Sequence, residues 1–307
     1  MWNKEWAAKI PFMTYCEACR PHHWLKNGLL FVPVLICGRA EDLLQAPLWL
    51  AFMTFCSVAS GIYVLNDLMD RAHDRRHPSK RHRPFASRKL SGLTGVWMCL
   101  VLIALGGVCA INCGERLFAI TASYVALSVI YVGKVRGEYV LDLFVLSALY
   151  TTRILAGATA ANIPVPASFL AFSAMAFVSL ASIKRLNELT QLRRDGAPDL
   201  YGRGYELSDH SIVALICVSA GYAAVVFLEL FVQMSSVAQG PAPIFVSNAM
   251  CVVVAYWISR AVVQAHRGDM RSDTLCYAVT DGSSLVCILG LALGLVFLMY
   301  CRSQSIG

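Results

Sequence analysis

Nine stretches of the chain are apolar for long enough to cross a bilayer: residues 22–38, 46–66, 92–111, 116–133, 139–160, 165–184, 210–233, 241–262 and 283–301. A spanning helix needs about 20 mostly apolar residues, while a barrel strand needs about ten of alternating polarity. These runs are continuous rather than alternating, and only helices or closed barrels satisfy their backbone groups inside lipid. The predicted fold class is therefore all-α integral membrane, with nine transmembrane helices. The first run is the weakest, because Lys26 and Pro33 interrupt it.

Charge placement fixes an orientation. With a cytoplasmic N-terminus, the inner loops collect Lys4, Lys9, Arg20 and Lys26, then Arg71, Arg75, Arg76, Lys80, Arg81, Arg83, Arg88 and Lys89. They also collect Lys134 and Arg136, the cluster Lys184, Arg185, Arg193, Arg194 and Arg203, and finally Arg260, Arg267 and Arg271. The opposite side receives Arg39, Arg116 and Arg302 alone. That asymmetry is what the positive-inside rule produces for nine spans, N-terminus in. The outer connections, such as Asn162 to Pro166, are short and neutral, so chemistry is expected on the inner face. The long polar loops 67–91 and 185–209 are the expected cap of the active site, within a single transmembrane catalytic domain covering 1–307.

Composition agrees with this picture. Only 15% of residues are charged and mean hydropathy is +0.59, where a soluble domain carries about 25% charge. The net charge of +7 sits between apolar spans, which points to membrane orientation and argues against nucleic acid as a partner. Cys56, Cys99, Cys109, Cys217, Cys251 and Cys287 lie inside apolar runs, where cysteine acts as a small hydrophobe. The opening Met-Trp-Asn-Lys-Glu-Trp lacks the layout of a cleavable signal peptide and reads as a short amphipathic surface segment. Cys16-x-x-Cys19 with His22 and His23 lacks the second ligand pair and spacing of a zinc site.

The chemistry concentrates where the second span ends. Asp67, Asp70 and Asp74 stand at i, i+3 and i+7, which a helix places on one face. Three carboxylates at the mouth of a span repel one another and call for positive charge. Arg71, Arg75 and Arg76 supply some of it, but Mg2+ fits better, since it takes hard oxygens and binds one or two carboxylates plus substrate phosphates. Asn66 adds a neutral oxygen beside them. Downstream, Lys80, Arg81 and Arg83 follow Pro78, which is expected to end the helix. Arginine suits bidentate phosphate contacts and lysine acts as a point charge.

The segment Asn66-Asp67-x-x-Asp70-x-x-x-Asp74 resembles the first aspartate-rich motif of the UbiA prenyltransferase superfamily. The resemblance implies a UbiA-like bundle of nine helices and a diphosphate bound through magnesium. Three further stretches are similar to the decaprenyl-phosphate phosphoribosyltransferase branch, which includes related rhizobial nodulation arabinosylation proteins. They are Arg20-Pro21-x-x-Trp24-x-Lys26-Asn27, Asp74-Arg-x-His77-Pro78-x-Lys80-x-x-Arg83-Pro84, and Lys184-Arg185-x-x-Glu188-Leu189. Prenyltransferases of the superfamily usually carry a second Asp-x-x-x-Asp motif on the later inner loop. Here Lys184-Arg185-Leu-Asn-Glu188 stands in its place, while Asp195 and Asp199 are interrupted by Gly196 and Pro198.

What the resemblance implies is an inner-membrane enzyme moving 5-phosphoribose from phosphoribosyl pyrophosphate to a polyprenyl phosphate. Asp67, Asp70 and Asp74 would be catalytic and hold magnesium, with Asn66, Lys80 and Arg83 at the donor. Lys26, Lys134, Lys184 and Arg185 would position the acceptor's phosphate. The product would feed a lipid-linked arabinose donor for a cell-wall arabinan or a nodulation lipo-oligosaccharide. A prenyltransferase joining a prenyl diphosphate to a small acceptor is the alternative. A transporter is disfavoured, since its ionisable groups would lie nearer the midplane. Lipid chain length and whether the protein forms an oligomer are left open. Asp142 and Arg153, eleven residues apart on one face of the fifth span, and Glu229 in the seventh have no assigned role.

Overall fold

The computed structural model describes residues 12–76, 80–195, 204–234, 240–270 and 274–306. All regular structure among them is helical. The α-helices are α1 (Phe12–Cys19), α2 (Val32–Ile36), α3 (Ala46–Asp74), α4 (Gly92–Cys113), α5 (Glu115–Gly133), α6 (Leu141–Ala160), α7 (Ala167–Asp195), α8 (His210–Met234), α9 (Pro241–Arg267), α10 (Thr274–Thr280) and α11 (Gly282–Ile306). Eight of these, α3 to α9 and α11, are long and apolar enough to cross a membrane. The chain is a multi-pass membrane protein. The opening Met1–Trp6 segment, His77, Pro78 and Asp199 lie outside the described residues.

The first predicted span takes a different form. Residues Pro21–Phe31 wind as a 3-10 helix and only Val32–Ile36 are α-helical. Prolines at the start of each piece, Pro21 and Pro33, cost no helical donor there and set φ for entry. Neither piece is among the eight helices long and apolar enough to cross a membrane.

The chain divides into two compact units. The first runs to Val132 and includes Thr152–Ile163, the later part of α6. Its centre is α3, of whose apolar window 61% is buried against 17% for α4; α4 accordingly exposes Leu100, Val101, Leu105 and Val108 to lipid. Glycines let α3 and α4 touch backbone to backbone. A Cβ at Gly61 would lie 3.2 Å from the Cys99 carbonyl, and one at Gly106 would lie 3.1 Å from that of Thr54. Ser57 Oγ donates to the Leu102 carbonyl across the same seam at 2.7 Å. Small residues and such hydroxyl bonds are how helices associate without a hydrophobic drive.

The 3-10 segment rests on α6 in the same way. A Cβ at Gly157 would fall 1.8 Å from the Leu30 carbonyl oxygen, with backbone atoms all around. Neither main chain can yield cheaply. Gly157→Ala is therefore expected to cost about 1–3 kcal/mol, the usual penalty of overpacking. A lowered thermal midpoint in detergent, with no comparable change for Gly107→Ala, where a Cβ meets nothing within 4 Å, checks this.

The second unit comprises Gly133–Thr151 and the residues from Pro164 onward. Its core gathers Ile183, Leu186, Leu189, Val213, Cys217, Ile258, Ala261 and Met270 from α7, α8, α9 and the turn after α9. Ser179 Oγ donates to the Cys217 carbonyl at 2.8 Å, tying α7 to α8. Glu229, unassigned from sequence, accepts from Gln233 Nε2 at 2.9 Å and, with the Asn248 amide turned to suit, from its nitrogen at 2.9 Å. It is polar glue between α8 and α9.

Helix α9 stops at Gly268, whose φ of 68° suits a glycine C-cap. Its terminal carbonyls are met from α7: Gln191 Nε2 donates to Gly268 O at 3.1 Å and Arg194 Nη1 at 2.9 Å, while Arg194 Nη2 reaches Arg267 O. At the start of α11, Asp281 Oδ2 accepts from the Ser284 amide at 2.8 Å, and its Oδ1 pairs with Arg260 at 3.0 Å.

Candidate active site

Helix α3 continues about two turns past its apolar run, through Asp67, Asp70 and Asp74. Hydropathy ends at the first charge, but no helix breaker lies between Asn66 and Arg76, so the backbone ladder runs on. The helix stops at Asp74, ahead of Pro78. Asp67 and Asp74 are each only 2% exposed, and buried carboxylates require partners. Arg83 serves both: its Nη1 donates to Asp74 Oδ2 at 2.8 Å and to Asp67 Oδ1 at 3.2 Å. Arg20 Nη2 donates to Asp67 Oδ1 at 2.5 Å. Asp70, half-buried, accepts from Asn66 Nδ2 at 3.1 Å.

The backbone around these groups is fixed. Arg83 lies in a loop pinned by buried Phe85, Ala86 and Leu90, by Ser87 Oγ donating to Arg83 O at 2.9 Å, and by Arg75 Nε donating to Ala86 O at 3.1 Å. Arg20 has φ 52° and ψ 58°, a left-handed conformation that is uncommon without glycine and disfavoured for a residue before proline. Strain of this kind persists where surrounding contacts impose it, and marks functional positions. The next residues lock the turn: Trp24 Nε1 donates to Ser60 Oγ at 3.0 Å, and Ser60 Oγ donates to Cys19 O at 3.0 Å. The guanidinium of Arg20 also lies 5.8 Å from the ring centroid of Tyr63.

The sequence placed Arg20 among the inner-face charges and at the head of the Arg20-Pro21 stretch, but did not show its contact with Asp67. The usable signal was an Arg-Pro pair directly after a short helix. Lys26 and Lys80 are half-buried in the same unit, on the 3-10 segment and at the start of the 80–82 turn. Asn27, 1% exposed, is structural: its Oδ1 accepts from Arg153 Nε at 2.9 Å, and its Nδ2 donates to Cys56 Sγ at 3.3 Å. Arg153 also donates to Tyr124 OH at 2.7 Å.

In the second unit a separate ionic cluster is buried. Arg185 is 1% exposed and Asp142 fully buried. Arg185 Nη2 donates to Asp142 Oδ2 at 2.5 Å, and its Nη1 pairs with Glu188. Tyr205 OH donates to Asp142 Oδ1 at 2.6 Å and accepts from the Val140 amide at 2.8 Å. Arg185 is thus engaged with protein carboxylates. Lys184 is half-buried, and Lys134, just after α5, is exposed.

Burial, then the hydrogen bond and charge of Asp142, push the Tyr205 phenol above its ordinary range. The folded state holds this proton more tightly than the unfolded chain does. The stability it gives is therefore complete below about pH 10 and falls as pH rises beyond that. Tyr205→Phe is expected to cost about 1 kcal/mol at neutral pH and to reduce the loss of thermal midpoint above about pH 10. Thermal-shift measurements across that range test both.

The α3 cluster offers hard oxygen donors: three carboxylates and an amide. Among the described residues no three acidic, His or Cys side chains converge closely enough to hold an ion unaided. Magnesium does not need that many, since it keeps waters and shares substrate phosphate oxygens. Asp67 and Asp74 converge on a single guanidinium nitrogen, so one cation already bridges them, and the donor set fits a divalent ion that arrives with a diphosphate.

A sequence profile of the UbiA prenyltransferase family matches residues 30–267. Uncharacterized protein y4nM of Sinorhizobium fredii is 29% identical over 280 residues, covering 89% of this chain and 54% of that protein. Decaprenyl-phosphate phosphoribosyltransferase of Mycolicibacterium smegmatis is 34% identical over 190 residues, covering 59% of this chain and 58% of that one. The enzyme of the same name from Corynebacterium glutamicum is 33% identical over 186 residues, covering 59% and 56%. The matches therefore span little more than half the length of these curated relatives. The fold matches a UbiA homolog from Archaeoglobus fulgidus bound to GPP and Mg2+, with TM-score 0.68 at 13% identity over 94% of this chain and 99% of that one. A structure described for digeranylgeranylglyceryl phosphate synthase follows at TM-score 0.66 and 15% identity, covering 94% and 98%. With profile, fold and aspartate-rich helix end in agreement, this chain belongs to the UbiA prenyltransferase family.

Proposed function

We propose that the protein transfers 5-phosphoribose from phosphoribosyl pyrophosphate to a polyprenyl phosphate at the inner membrane of a bacterium, releasing pyrophosphate. The observation that carries this reading is the buried carboxylate pair Asp67 and Asp74, joined by Arg83 and Arg20 at the end of α3. It gathers hard oxygens and guanidinium groups, the two donor types a metal-bound diphosphate requires. The phosphoribosyltransferase relatives, at 33–34% identity, support the choice of donor and acceptor. Lys184 to Glu188, in place of a second aspartate pair, suits one metal-held diphosphate rather than two.

Asp67, Asp70 and Asp74 would hold magnesium, which when bound supplies positive charge to the donor's diphosphate. Arg83 and Lys80 neutralise the charge that grows on the departing pyrophosphate, where electrostatic stabilisation lowers the barrier most. Asn66 orients Asp70. The bond between the anomeric carbon and the pyrophosphate oxygen breaks, and a phosphate oxygen of the lipid forms the new bond. The attacking oxygen already carries negative charge, so no general base is needed. Lys26, in the same unit as the acidic end of α3, is the proposed cationic contact of the acceptor's phosphate. The product, a lipid-linked phosphopentose, is suited to serve as precursor of an arabinose donor.

The test is a membrane assay with labelled phosphoribosyl pyrophosphate and decaprenyl phosphate, run beside one with a labelled prenyl diphosphate and an aromatic acid. Lipid-linked label is expected in the first mixture. Product in the second alone would overturn the assignment in favour of a prenyltransferase.

A further inference from the structure

Two of the carboxylate oxygens that a divalent ion would use on α3, Asp67 Oδ1 and Asp74 Oδ2, are already taken. Arg83 Nη1 stands between Asp67 Oδ1, at 3.2 Å, and Asp74 Oδ2, at 2.8 Å, and Arg20 Nη2 adds a second contact to Asp67 at 2.5 Å. At Asp67 and Asp74, two carboxylates face two guanidinium groups and their formal charges cancel, while Asp70, bonded to Asn66, makes none of these contacts to the two arginines. A divalent cation approaching this balanced group gains little attraction from the carboxylates and is repelled by the arginines. Its hold on Asp67 and Asp74 strengthens when a guanidinium leaves.

The geometry shows which partner can move. The Asp67 and Asp74 side chains are 2% exposed, while those of Arg20 and Arg83 are 16% and 25% exposed. The carboxylates are built into α3, and the backbone of Arg83 is anchored by Ser87 and the buried Phe85 and Leu90. What remains free to turn is the arginine side chain, whose head already meets solvent. A guanidinium gives up a carboxylate cheaply only when another anion replaces it, and phosphate oxygens present the same bidentate geometry.

We propose that Arg83, assisted by Arg20, is an exchangeable counter-ion that makes divalent-ion binding conditional on the donor. Without donor, the two arginines occupy Asp67 and Asp74. When the diphosphate enters, they transfer to its oxygens and release the carboxylates to the ion. The inference rests on the reading of α3 as a metal–diphosphate site and extends it to the order of assembly. By linkage the coupling is reciprocal, so the ion strengthens donor binding by the factor that the donor strengthens ion binding.

The experiment uses the full chain in nanodiscs. Binding of Mn2+ alone is followed by electron paramagnetic resonance, and binding of labelled phosphoribosyl pyrophosphate at saturating Mn2+ by equilibrium dialysis. Arg83→Gln is expected to bind Mn2+ alone about tenfold more tightly than the native protein, within the usual range of coupling strengths. Arg20→Gln, which removes a contact to Asp67 only and serves if Arg83→Gln does not fold, is expected to gain about threefold. The exchange is overturned if the native protein binds the donor in an Asp67-dependent manner while neither variant gains affinity for Mn2+ alone. Donor binding that is absent, or unchanged in Asp67→Asn, would instead overturn the underlying metal–diphosphate reading.

Discussion

Asp70→Asn is expected to lower turnover by about 10²–10³-fold, on the scale seen when one preorganised electrostatic group is removed from an active site. The substitution keeps shape and removes charge. Asp70 is half-buried and bonded to Asn66, whereas Asp67 and Asp74 are fully enclosed and tied to arginines. The charge lost at 70 is not one that Arg20 or Arg83 is bonded to at Asp67 and Asp74. Yield from membranes and thermal midpoint should stay close to native while the reaction fails. Full activity at saturating magnesium, in membranes with normal protein levels, would remove Asp70 from the proposed metal role.

The second large effect is structural. Asp142→Asn is expected to cost about 3–5 kcal/mol, the penalty for stripping a buried charge of its partner. Arg185 is 1% exposed and Asp142 fully enclosed, so water cannot replace the lost carboxylate. Glu188 remains, but it is 27% exposed and contacts the other guanidinium nitrogen. Tyr205 would also lose its charged acceptor. A double replacement, Asp142→Leu with Arg185→Met, should recover much of the loss, because a well-packed apolar pair is often as stable as a buried ion pair. Thermal unfolding of both variants in one detergent decides the matter. A single variant as stable as native would show that the pair carries little of the fold's energy.

Much of the architecture was legible from hydropathy, because lipid leaves the backbone few choices. The predicted runs 92–111, 116–133, 210–233 and 241–262 correspond to α4, α5, α8 and α9. Runs 46–66 and 165–184 found α3 and α7 but stopped short of Asp74 and Asp195. Both helices continue into polar sequence without a breaker, which a hydropathy window cannot see. The first run appears as a 3-10 and α-helical composite, since Pro21 and Pro33 divide it in a way composition does not register.

The site was legible in part. The i, i+3, i+7 spacing placed Asp67, Asp70 and Asp74 on one face, and Arg83 emerged as their neighbour. Which arginine meets which carboxylate depends on tertiary contact, so Arg20, 47 residues before Asp67, was invisible as a partner. Asp142 and Arg153 share a helical face in sequence, yet Asp142 binds Arg185 and Tyr205, while Arg153 binds Asn27 and Tyr124. Periodicity gives direction along one helix; it does not say what stands opposite.

Helices α7 and α9 end side by side, each with about half a negative elementary charge at the same pole. Two like poles in contact push apart. Arg194, lying across the last carbonyls of α9 while belonging to the final turn of α7, sets one positive charge against both. It acts as an electrostatic rivet, and raised salt should loosen these two helix ends before it disturbs any apolar seam.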